Sequence, residues 1–226
     1  MTVNLPYHDK PSVWSSHSII ASYLDTLPAQ SKVLDVGAAS GMLARMCQNK
    51  TLRLFGVEPN QTWAQMAAPL YEKIWICSIS ELEEELLSGY DVVVLGDVLE
   101  HLPSPEVILQ ELVAQQATGT KFIISVPNIA NLWIRLNLLI GRFEYTDRGI
   151  LDRTHRRFFT RRSFVNMVRS TGLEIISIQV TPIPLELVSK FFMRLPGRFF
   201  HAVLARFTSW LPSLLGYQFI VEARKL

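Results

Sequence analysis

Short β-rich runs alternate with helical patterns along the first two thirds of this 226-residue chain, and this alternation restricts its fold more than any other feature. The runs are continuously apolar, as in strands that are covered on both faces. Such strands, joined by helices, form a parallel sheet. The predicted strands are Lys32–Val36, Arg53–Val57, Lys73–Ile76, Asp91–Leu95 and Lys121–Val126. The predicted helices are Ser12–Thr26, Met42–Asn49, Thr62–Leu70, Ser80–Leu87 and Pro105–Gln115.

The last third departs from this rhythm. A helix is predicted over Thr160–Thr171, and two more strands over Leu173–Val180 and Tyr217–Glu222. Two long segments without strands lie between these elements, and such segments are usually functional. We therefore predict one α/β domain over residues 1–226, a doubly wound, mostly parallel, seven-stranded sheet with helices on both faces. Residues 127–159 are expected to be a substrate-side insertion, and residues 181–216 an amphipathic helical insertion before the last strand.

Charge is distributed unevenly along the chain. Residues 1–130 contain 7 Lys/Arg and 14 Asp/Glu, whereas residues 131–226 contain 15 and 6, so the net charges are −7 and +9. The basic second half suggests contact with something anionic. Cys47 and Cys77 match no metal or redox spacing and are expected to be reduced thiols of a cytoplasmic protein. No apolar signal region and no run of 18 apolar residues is present, so no membrane-spanning helix is expected.

The turn after the first strand has no side chain larger than Ser, in the sequence VLDVGAASG over Val33–Gly41. In an open parallel sheet, ligands bind at the carboxyl ends of the strands. Gly37 and Gly41 would let the backbone approach a ligand closely, and the following helix would offer free N–H groups. A tight turn that binds nothing is the alternative interpretation.

Glu58 follows the second strand, 17 residues after Gly41. A carboxylate in this place can accept hydrogen bonds from both hydroxyls of a ribose. The pair of features therefore predicts a ligand that carries a nucleoside. The alternative is a solvent-exposed Glu before the turn at Pro59.

The spacing Asp35-x-Gly37-x-Ala39-x-Gly41 resembles the first motif of class I S-adenosylmethionine-dependent methyltransferases, Asp/Glu-x-Gly-x-Gly-x-Gly, with Ala39 in place of the middle Gly. Three more segments resemble the ubiquinone O-methyltransferase-like branch, of the methyltransferase domain family 23 type. They are Tyr90–Leu102, Ser125–Asn128 and Gly149–Thr160, whose Arg-Thr-His sequence also resembles methyltransferases associated with cell-surface polysaccharide synthesis. The resemblance covers roughly residues 15–180.

The resemblance implies a Rossmann-like fold and S-adenosylmethionine as cofactor. An acid after the third strand often binds the adenine amine in the family, but here Cys77-Ser78-Ile79 offers only Ser78. The residues expected around the cofactor are Asp35, Gly37, Ala38, Ala39, Gly41, Glu58, Pro59, Ser78, Gly96 and Asp97.

Methyl transfer to a hydroxyl requires that the acceptor be positioned and that its proton be removed. His101, with Glu100 beside it, follows the fourth strand and is the predicted general base, with His155 as a further catalytic candidate. The alternative is that His101 only hydrogen-bonds the loop.

A divalent cation is a second interpretation of the same residues. Asp97, Glu100 and His101 have i, i+3, i+4 spacing, and His155 would complete a set that could hold Mg²⁺ or Mn²⁺. Some ubiquinone O-methyltransferases and small-RNA 2′-O-methyltransferases resemble this pattern. In the alternative, Asp97 faces the methionine part of the cofactor.

Six arginines crowd into the segment that begins at Arg148. Arg161 and Arg162 fit a solvated helix start, whereas Arg153 and Arg156 flank His155 and are expected to meet a phosphate or carboxylate of the acceptor. The basic stretch is short, so nucleic acid is a disfavoured partner.

The leading hypothesis is an enzyme that O-methylates a small or lipid-linked acceptor of the glycan or quinol type. An RNA 2′-O-methyltransferase, a nicotinamide-dependent oxidoreductase and a non-catalytic S-adenosylmethionine-binding module are the alternatives.

The segment Leu187–Gly216 has an apolar stripe at helical spacing and four basic residues, and no acid occurs from Leu187 to Val221. The stripe consists of Phe200, Val203, Leu204, Phe207, Trp210 and Leu211, with Arg198, His201 and Thr208 away from its centre. Two interpretations stay open: peripheral contact with a membrane carrying anionic lipid, or a lid or homodimer contact with the stripe buried against protein.

Overall fold

The computed structural model describes residues 12–185 and 195–226. Seven strands form one sheet in the order β3-β2-β1-β4-β5-β7-β6, in which β7 is antiparallel to both of its neighbours and the other pairings are parallel. The strands are β1 Lys32–Val36, β2 Arg53–Val57, β3 Lys73–Trp75, β4 Val92–Gly96, β5 Lys121–Pro127, β6 Leu173–Thr181 and β7 Gln218–Lys225. The predicted fold class is confirmed, and β1 and β2 have the predicted ends.

The helices of the described residues precede β1 or lie in the connections between the strands. They are α1 Ser16–Leu24, α2 Met42–Met46, α3 Gln61–Ala67, α4 Pro105–Gln115, α5 Leu132–Leu139, α6 Arg161–Ser170, α7 Leu195–Trp210 and α8 Pro212–Leu215. The helix α4 begins at Pro105. The first N–H groups of a helix have no partner within the helix, so proline, which lacks an N–H, is well accommodated at this position. Pro105 places the loop after β4 next to the start of a regular helix.

The sheet has a hydrophobic core on each face because consecutive residues of a strand point to opposite sides. Leu34 and Val36 of β1 belong to one buried cluster, and Val33 belongs to another. All three are almost fully buried. The central strands are therefore covered by helices on both sides, and ligand access is confined to the ends of the strands.

The helix predicted over Ser80–Leu87 is wrong. Two short 3₁₀ turns occupy this region, Ile79–Glu81 and Glu84–Leu87, and Leu82 and Glu83 between them are extended. Ile79, Leu82 and Leu87 all enter the same core cluster, and their i, i+3, i+8 spacing is also that of one face of a helix. The apolar pattern alone therefore does not distinguish a helix from two turns, and the reciprocal hydrogen bonds of Ser78 and Glu81 close the first turn before Leu82.

Both long insertions leave the sheet at adjacent strand ends. Pro127, the last residue of β5, pairs with Gln218, the first residue of β7. The helix α5 follows β5 and the helix α8 precedes β7, so both lie at the same edge of the sheet. The side-chain amides of Asn128 and Asn131 both donate to the Gly216 carbonyl at 2.8 Å. The predicted helix in the second insertion is present as α7, and residues 186–194 of that prediction lie outside the described residues.

The helix α7 turns its polar side, not its apolar stripe, towards the rest of the domain. His201 and Thr208, the expected polar side, are buried, and the Thr208 hydroxyl donates to the Leu204 carbonyl at 2.8 Å. By contrast, Phe207 is 50% and Trp210 66% exposed. The apolar stripe of α7 is therefore not buried within the described part of this chain.

Candidate active site

The loop after β1 has three residues with positive φ, namely Gly37, Ala39 and Gly41 at 76°, 46° and 84°. A Cβ on Gly37 would lie 2.6 Å from Cγ2 of Val98, and a Cβ on Gly41 would lie 2.8 Å from Leu70. Glycine is thus required by the approach of the neighbouring loop and helix, in addition to the backbone conformation. This close packing brings the ends of β1 and β4 together.

Most N–H groups of the loop itself already have partners. The N–H groups of Gly37 and Ala38 donate to the Val57 carbonyl, and that of Gly41 donates to the Ala38 carbonyl. The helix that follows, α2, is only five residues long. The loop therefore offers a ligand its half-exposed surface at Gly37 and Ala39, while Ala38 and Gly41 are buried.

Glu58 lies directly after β2 and is 4% exposed. Its two carboxylate oxygens accept 2.8 Å hydrogen bonds from the N–H groups of Ala39 and Asn60. Burial raises the pKa of Glu58, and these two hydrogen bonds oppose the rise. A carboxylate has about four acceptor positions, so two remain for hydroxyl donors such as those of a ribose.

Asp35 was expected at the cofactor, but the structure places its side chain beneath the loop. It is buried, and Oδ2 accepts a 2.5 Å hydrogen bond from the Tyr71 hydroxyl. Burial raises the pKa of Asp35 to about 7, the Tyr71 hydrogen bond lowers it, and the charge of Glu58 raises it. The position of Asp35 is that of a support for the loop after β1.

Asp97 and Gly96 lie at the end of β4, beside the loop after β1. Asp97 has a φ of 59°, which is uncommon for a residue with a side chain. Its carboxylate accepts hydrogen bonds from Ser125 at 2.6 Å, Gln218 at 2.8 Å and Ser16 at 3.1 Å. These donors come from β5, β7 and α1, so Asp97 joins three elements at the carboxyl edge of the sheet.

Pro59 and Ser78 lie farther along the same edge, after β2 and β3. Pro59 is exposed, and Ser78 begins a 3₁₀ turn in which its N–H donates to Glu81 at 2.9 Å. The Ser78 hydroxyl lies 3.1 Å from that of Ser80. Ser78 is half-buried and its hydroxyl still has acceptor capacity.

Glu100, His101 and His155 come together in one cluster, in which each residue offers a metal-ligating atom within 4.8 Å of the others. The imidazole rings of His101 and His155 have centroids 4.8 Å apart and are inclined by 74°. Burial, followed by the charge of His101, lowers the pKa of His155, which favours a neutral imidazole at pH 7. Asp97 is not a member of this cluster, so the predicted four-residue metal set is reduced to three.

The Arg-Thr-His segment is fixed to the loop after β4 by backbone hydrogen bonds. The N–H groups of Arg156 and Arg157 both donate to the Glu100 carbonyl, at 2.8 and 3.0 Å. This connection explains how two segments separated by some fifty residues bring His101 and His155 together. Thr154 also contacts His101, a role that sequence reasoning missed although the residue lies within the recognised motif.

Arg153 and Arg156 are both exposed, and their surroundings differ. Arg153 forms a 2.9 Å ion pair with Asp147 in the same insertion. The Arg156 guanidinium forms no ion pair with another described residue. Of the two arginines expected at an anionic group, Arg156 is the one whose charge no neighbour in the described part of the chain neutralises.

An aromatic cluster lies next to His155. Phe158 has its ring centroid 6.3 Å from that of His155, and Phe143 and Tyr145 lie 6.1 and 6.4 Å from Phe158. Phe143 and Tyr145 are exposed. The insertion between β5 and α6 thus presents aromatic surface beside the histidine pair.

Known proteins resemble this chain in sequence and in fold. A family described as a methyltransferase domain matches residues 8–178. A ubiquinone biosynthesis O-methyltransferase of Acinetobacter baylyi is 26% identical over 156 residues, which are 65% of this chain and 65% of that protein. The chain therefore spans slightly less than two thirds of this relative.

Two solved structures have the same fold. A SAM dependent methyltransferase from Archaeoglobus fulgidus has a TM-score of 0.60 and 16% identity, covering 92% of this chain and 94% of its own. The magnesium protoporphyrin IX methyltransferase from Synechocystis, solved with bound SAH, has a TM-score of 0.62 and 14% identity, covering 93% and 82%. At these identities the likeness concerns the fold alone.

Proposed function

The chain belongs to the methyltransferase domain family, and from that premise we propose that it transfers the methyl group of S-adenosylmethionine to a hydroxyl of a quinol-type acceptor. One observation carries the proposal. A nucleoside-type cradle around Glu58 and a cluster of Glu100, His101 and His155 lie at the same carboxyl edge of one parallel sheet. Family membership and the fold disfavour a nicotinamide-dependent oxidoreductase.

The residues of the loop after β1 fit the cofactor. Glu58 retains acceptor positions for the ribose hydroxyls, and Gly37 and Ala39 provide a surface without bulky side chains. Asp97 and Gly96 adjoin this surface on the side of the methionine part, and Ser78 and Pro59 on the side of the adenine. S-adenosylmethionine supplies an electrophilic methyl group on a sulfonium. The task of these residues is to orient it and to exclude water.

The histidine pair fits the removal of the acceptor proton. His101 and His155 lie beside the end of β4, and a neutral imidazole can accept a proton from a hydroxyl within hydrogen-bond distance. The lowered pKa of His155 keeps this ring in the accepting form at neutral pH. The exposed Phe143 and Tyr145 favour a planar aromatic acceptor over a glycan because flat rings stack on such surfaces.

A divalent cation fits the same cluster. Glu100, His101 and His155 could hold Mg²⁺ or Mn²⁺, which would bind acceptor oxygens and lower the pKa of the hydroxyl. Imidazole and carboxylate ligands suit Mn²⁺ better than they suit Mg²⁺, which prefers oxygen. Asp97 accepts three side-chain hydrogen bonds and is assigned to the cofactor side instead.

The exposed helices support a membrane surface as the location of the acceptor. In α7, Phe207 and Trp210 face outward, and in α5 Leu139 is 82% exposed. The sequence contains no acid over residues 128–143 or 187–221, whereas Arg135, Arg142 and Arg206 are among the basic residues there. An apolar and basic surface of this kind suits a bilayer with anionic lipid, where a lipid-linked acceptor would be found.

A methyl-transfer assay tests the proposed activity. The full chain is incubated with S-adenosylmethionine labelled in its methyl group and with a catechol, and label in the extracted phenol ether is measured. We expect transfer by the wild type and at least a tenfold lower kcat for His101→Ala, with similar affinity for S-adenosylhomocysteine. Arg162→Ala, at the exposed start of α6, is the matched control and should be fully active.

The remaining hypotheses give different results when RNA is offered as an acceptor and binding of NAD is measured beside the catechol assay. Tight S-adenosylhomocysteine binding without label in any phenolic acceptor would indicate a non-catalytic binding module. Label in RNA and none in the catechol would indicate an RNA 2′-O-methyltransferase. Calorimetric binding of NAD, with none of S-adenosylhomocysteine, would overturn the proposed function altogether.

A further inference from the structure

Asp152, Thr154 and His101 form a chain of hydrogen bonds beside the proposed active site. Asp152 is buried, and its Oδ1 accepts hydrogen bonds from the Thr154 hydroxyl at 2.6 Å and from the Thr154 N–H at 2.8 Å. The Thr154 hydroxyl oxygen lies 3.1 Å from Nδ1 of His101. The three residues come from the Arg-Thr-His segment and from the loop after β4.

The number of available protons determines which atom donates in each of these hydrogen bonds. An ionised carboxylate can only accept, so the single hydroxyl proton of Thr154 is donated to Asp152. Towards His101 the Thr154 oxygen can then act only as an acceptor. The proton between them must therefore belong to Nδ1 of His101, and in the neutral ring the lone pair is then on Nε2.

His155 is held in the same tautomer by a different partner. Its Nδ1 lies 3.1 Å from the Ile150 carbonyl oxygen, which can only accept. The proton is again on Nδ1 and the lone pair on Nε2. Because both Nδ1 atoms are engaged, Nε2 is the nitrogen that each ring offers to the cluster with Glu100.

We propose that Thr154, anchored by Asp152, is a positioning residue that fixes His101 in the Nδ1–H tautomer, so that both histidines present Nε2 lone pairs to one acceptor-binding point. The proposal rests on the proposed function, since those lone pairs serve to take the acceptor proton or to bind a cation. When His101 takes that proton on Nε2, its Nδ1–H continues to donate to Thr154. Proton uptake therefore requires no rotation of the ring.

Imidazole tautomers can be observed directly in the full chain. Two-bond ¹H–¹⁵N correlation spectra of protein labelled with ¹⁵N-histidine distinguish Nδ1–H from Nε2–H rings at about pH 8.5, well above the ordinary histidine pKa. We expect Nδ1–H for His101 and His155 in the wild type. Thr154→Val should convert His101 to a mixture of tautomers and leave His155 unchanged, whereas Thr154→Ser should restore the wild-type signal.

The control variant is Thr146→Val, which alters a threonine of the same insertion whose hydroxyl donates to the Arg148 carbonyl at 2.8 Å. A change of the His101 tautomer in this variant as well would attribute the effect to a disturbed loop and would contradict the proposal. An Nε2–H tautomer of His101 in the wild type would also overturn it, as would an unchanged His101 in Thr154→Val.

Kinetics separate this inference from the proposed function. Loss of an outer hydrogen bond to a functional histidine typically costs about 10- to 100-fold, so Thr154→Val should lower kcat for catechol methylation by that factor. The KM for S-adenosylmethionine should be unchanged, and Thr154→Ser should be close to wild type. A fully active Thr154→Val would overturn the inference and leave the proposed function intact. The expected tautomers in a protein that methylates no acceptor would support the positioning role and overturn the function.

Discussion

The carboxylate of Glu58 accepts a 2.8 Å hydrogen bond from the backbone N–H of Ala39, so the end of β2 holds the loop after β1. Its other oxygen accepts from the N–H of Asn60 at the same distance. One buried side chain thus fixes the shape of the loop and keeps acceptor positions for a ligand. Removing the carboxylate should therefore affect both the cradle and its ligand.

Glu58→Ala should weaken S-adenosylhomocysteine binding by about 2–4 kcal/mol because two charge-assisted hydrogen bonds to the ribose are lost. Isothermal titration calorimetry measures the change. The matched control is Glu72→Ala, which removes an exposed partner of Arg53 just before the start of β3 and should leave the affinity unchanged. Equal affinities of Glu58→Ala and the wild type would remove Glu58 from the cofactor site.

Gly37→Ala should destabilise the fold more than Gly89→Ala, although both glycines have positive φ, 76° and 83°. A Cβ at Gly89 meets no atom within 4 Å, so that variant carries only the backbone cost of about 1–2 kcal/mol. The Cβ at Gly37 would in addition collide with Val98, and overpacking adds about 1–3 kcal/mol. Urea denaturation of the two variants gives the difference.

Adding Val98→Ala to Gly37→Ala should recover the stability that is lost through the steric collision. The stability that is lost through the positive φ of residue 37 should not be recovered. A double-mutant cycle measures this coupling, which should be at least ~1 kcal/mol for residues in direct contact. Additive effects of the two substitutions would show that the loop after β1 yields without resistance.

Asp35 should make stability fall as the pH rises. Its pKa of about 7 in the folded protein lies above the ordinary value of 3.8, so the unfolded chain releases this proton first. The free energy of unfolding, relative to that of Asp35→Asn, should be highest below about pH 4, decline up to about pH 7 and then level off. The total decline has an upper bound of about 4 kcal/mol. A difference that does not vary with pH would place Asp35 in a solvated environment.

The positions of the strands along the chain could be predicted from the sequence because apolar runs and turn residues are local signals. The alternation predicted five strands and the last third two more, and Val36 and Val57 end β1 and β2 as predicted. The motifs also led to the correct family. Contacts between distant segments could not be derived in the same way. The contact of Thr154 with His101 and the hydrogen bond from Tyr71 to Asp35 result from tertiary packing. The spacing of residues along the sequence does not reveal such packing.

The burial of the insertion before β7 was predicted least well. Helical periodicity in Leu187–Gly216 identified a helix, but the same pattern fits a face buried against protein and a face exposed on the surface. In α7 the small polar Thr208 faces inward and the large Trp210 outward. Which face is buried depends on the neighbouring elements, and the hydrophobic pattern alone carries no information about them.

The affinity for a metal ion should show which residues of the predicted four-residue set are ligands. Glu100→Gln should lower the affinity for Mn²⁺ at least tenfold, as a lost carboxylate ligand requires, whereas Asp97→Asn should leave it within about twofold. Calorimetry with Mn²⁺ alone measures both variants. Wild-type methyl transfer that persists in excess chelator would leave the histidines as bases and exclude a metal role.

Vesicles should recruit the protein through α7 and its neighbour α5. Vesicles with anionic lipid should co-sediment the full chain at low salt and release it as the salt concentration rises. The double substitution of Phe207 and Trp210 by Ser should abolish binding, whereas Val107→Ser, an equally exposed change on α4, should not. A stable dimer that never sediments with vesicles would assign the exposed face to a second copy of the chain.

The antiparallel strand β7 lies between β5 and β6, and its first residue, Gln218, donates a 2.8 Å hydrogen bond to Asp97 at the end of β4. During synthesis on the ribosome, β1 to β5 can assemble early, but β6 has no neighbour in the sheet until residues 218–225 emerge from the exit tunnel. The wall that holds Asp97 is completed in the same event. The wall around Asp97 is therefore expected to form only after β7 has paired, whereas the loop that Glu58 holds requires only β1 and β2.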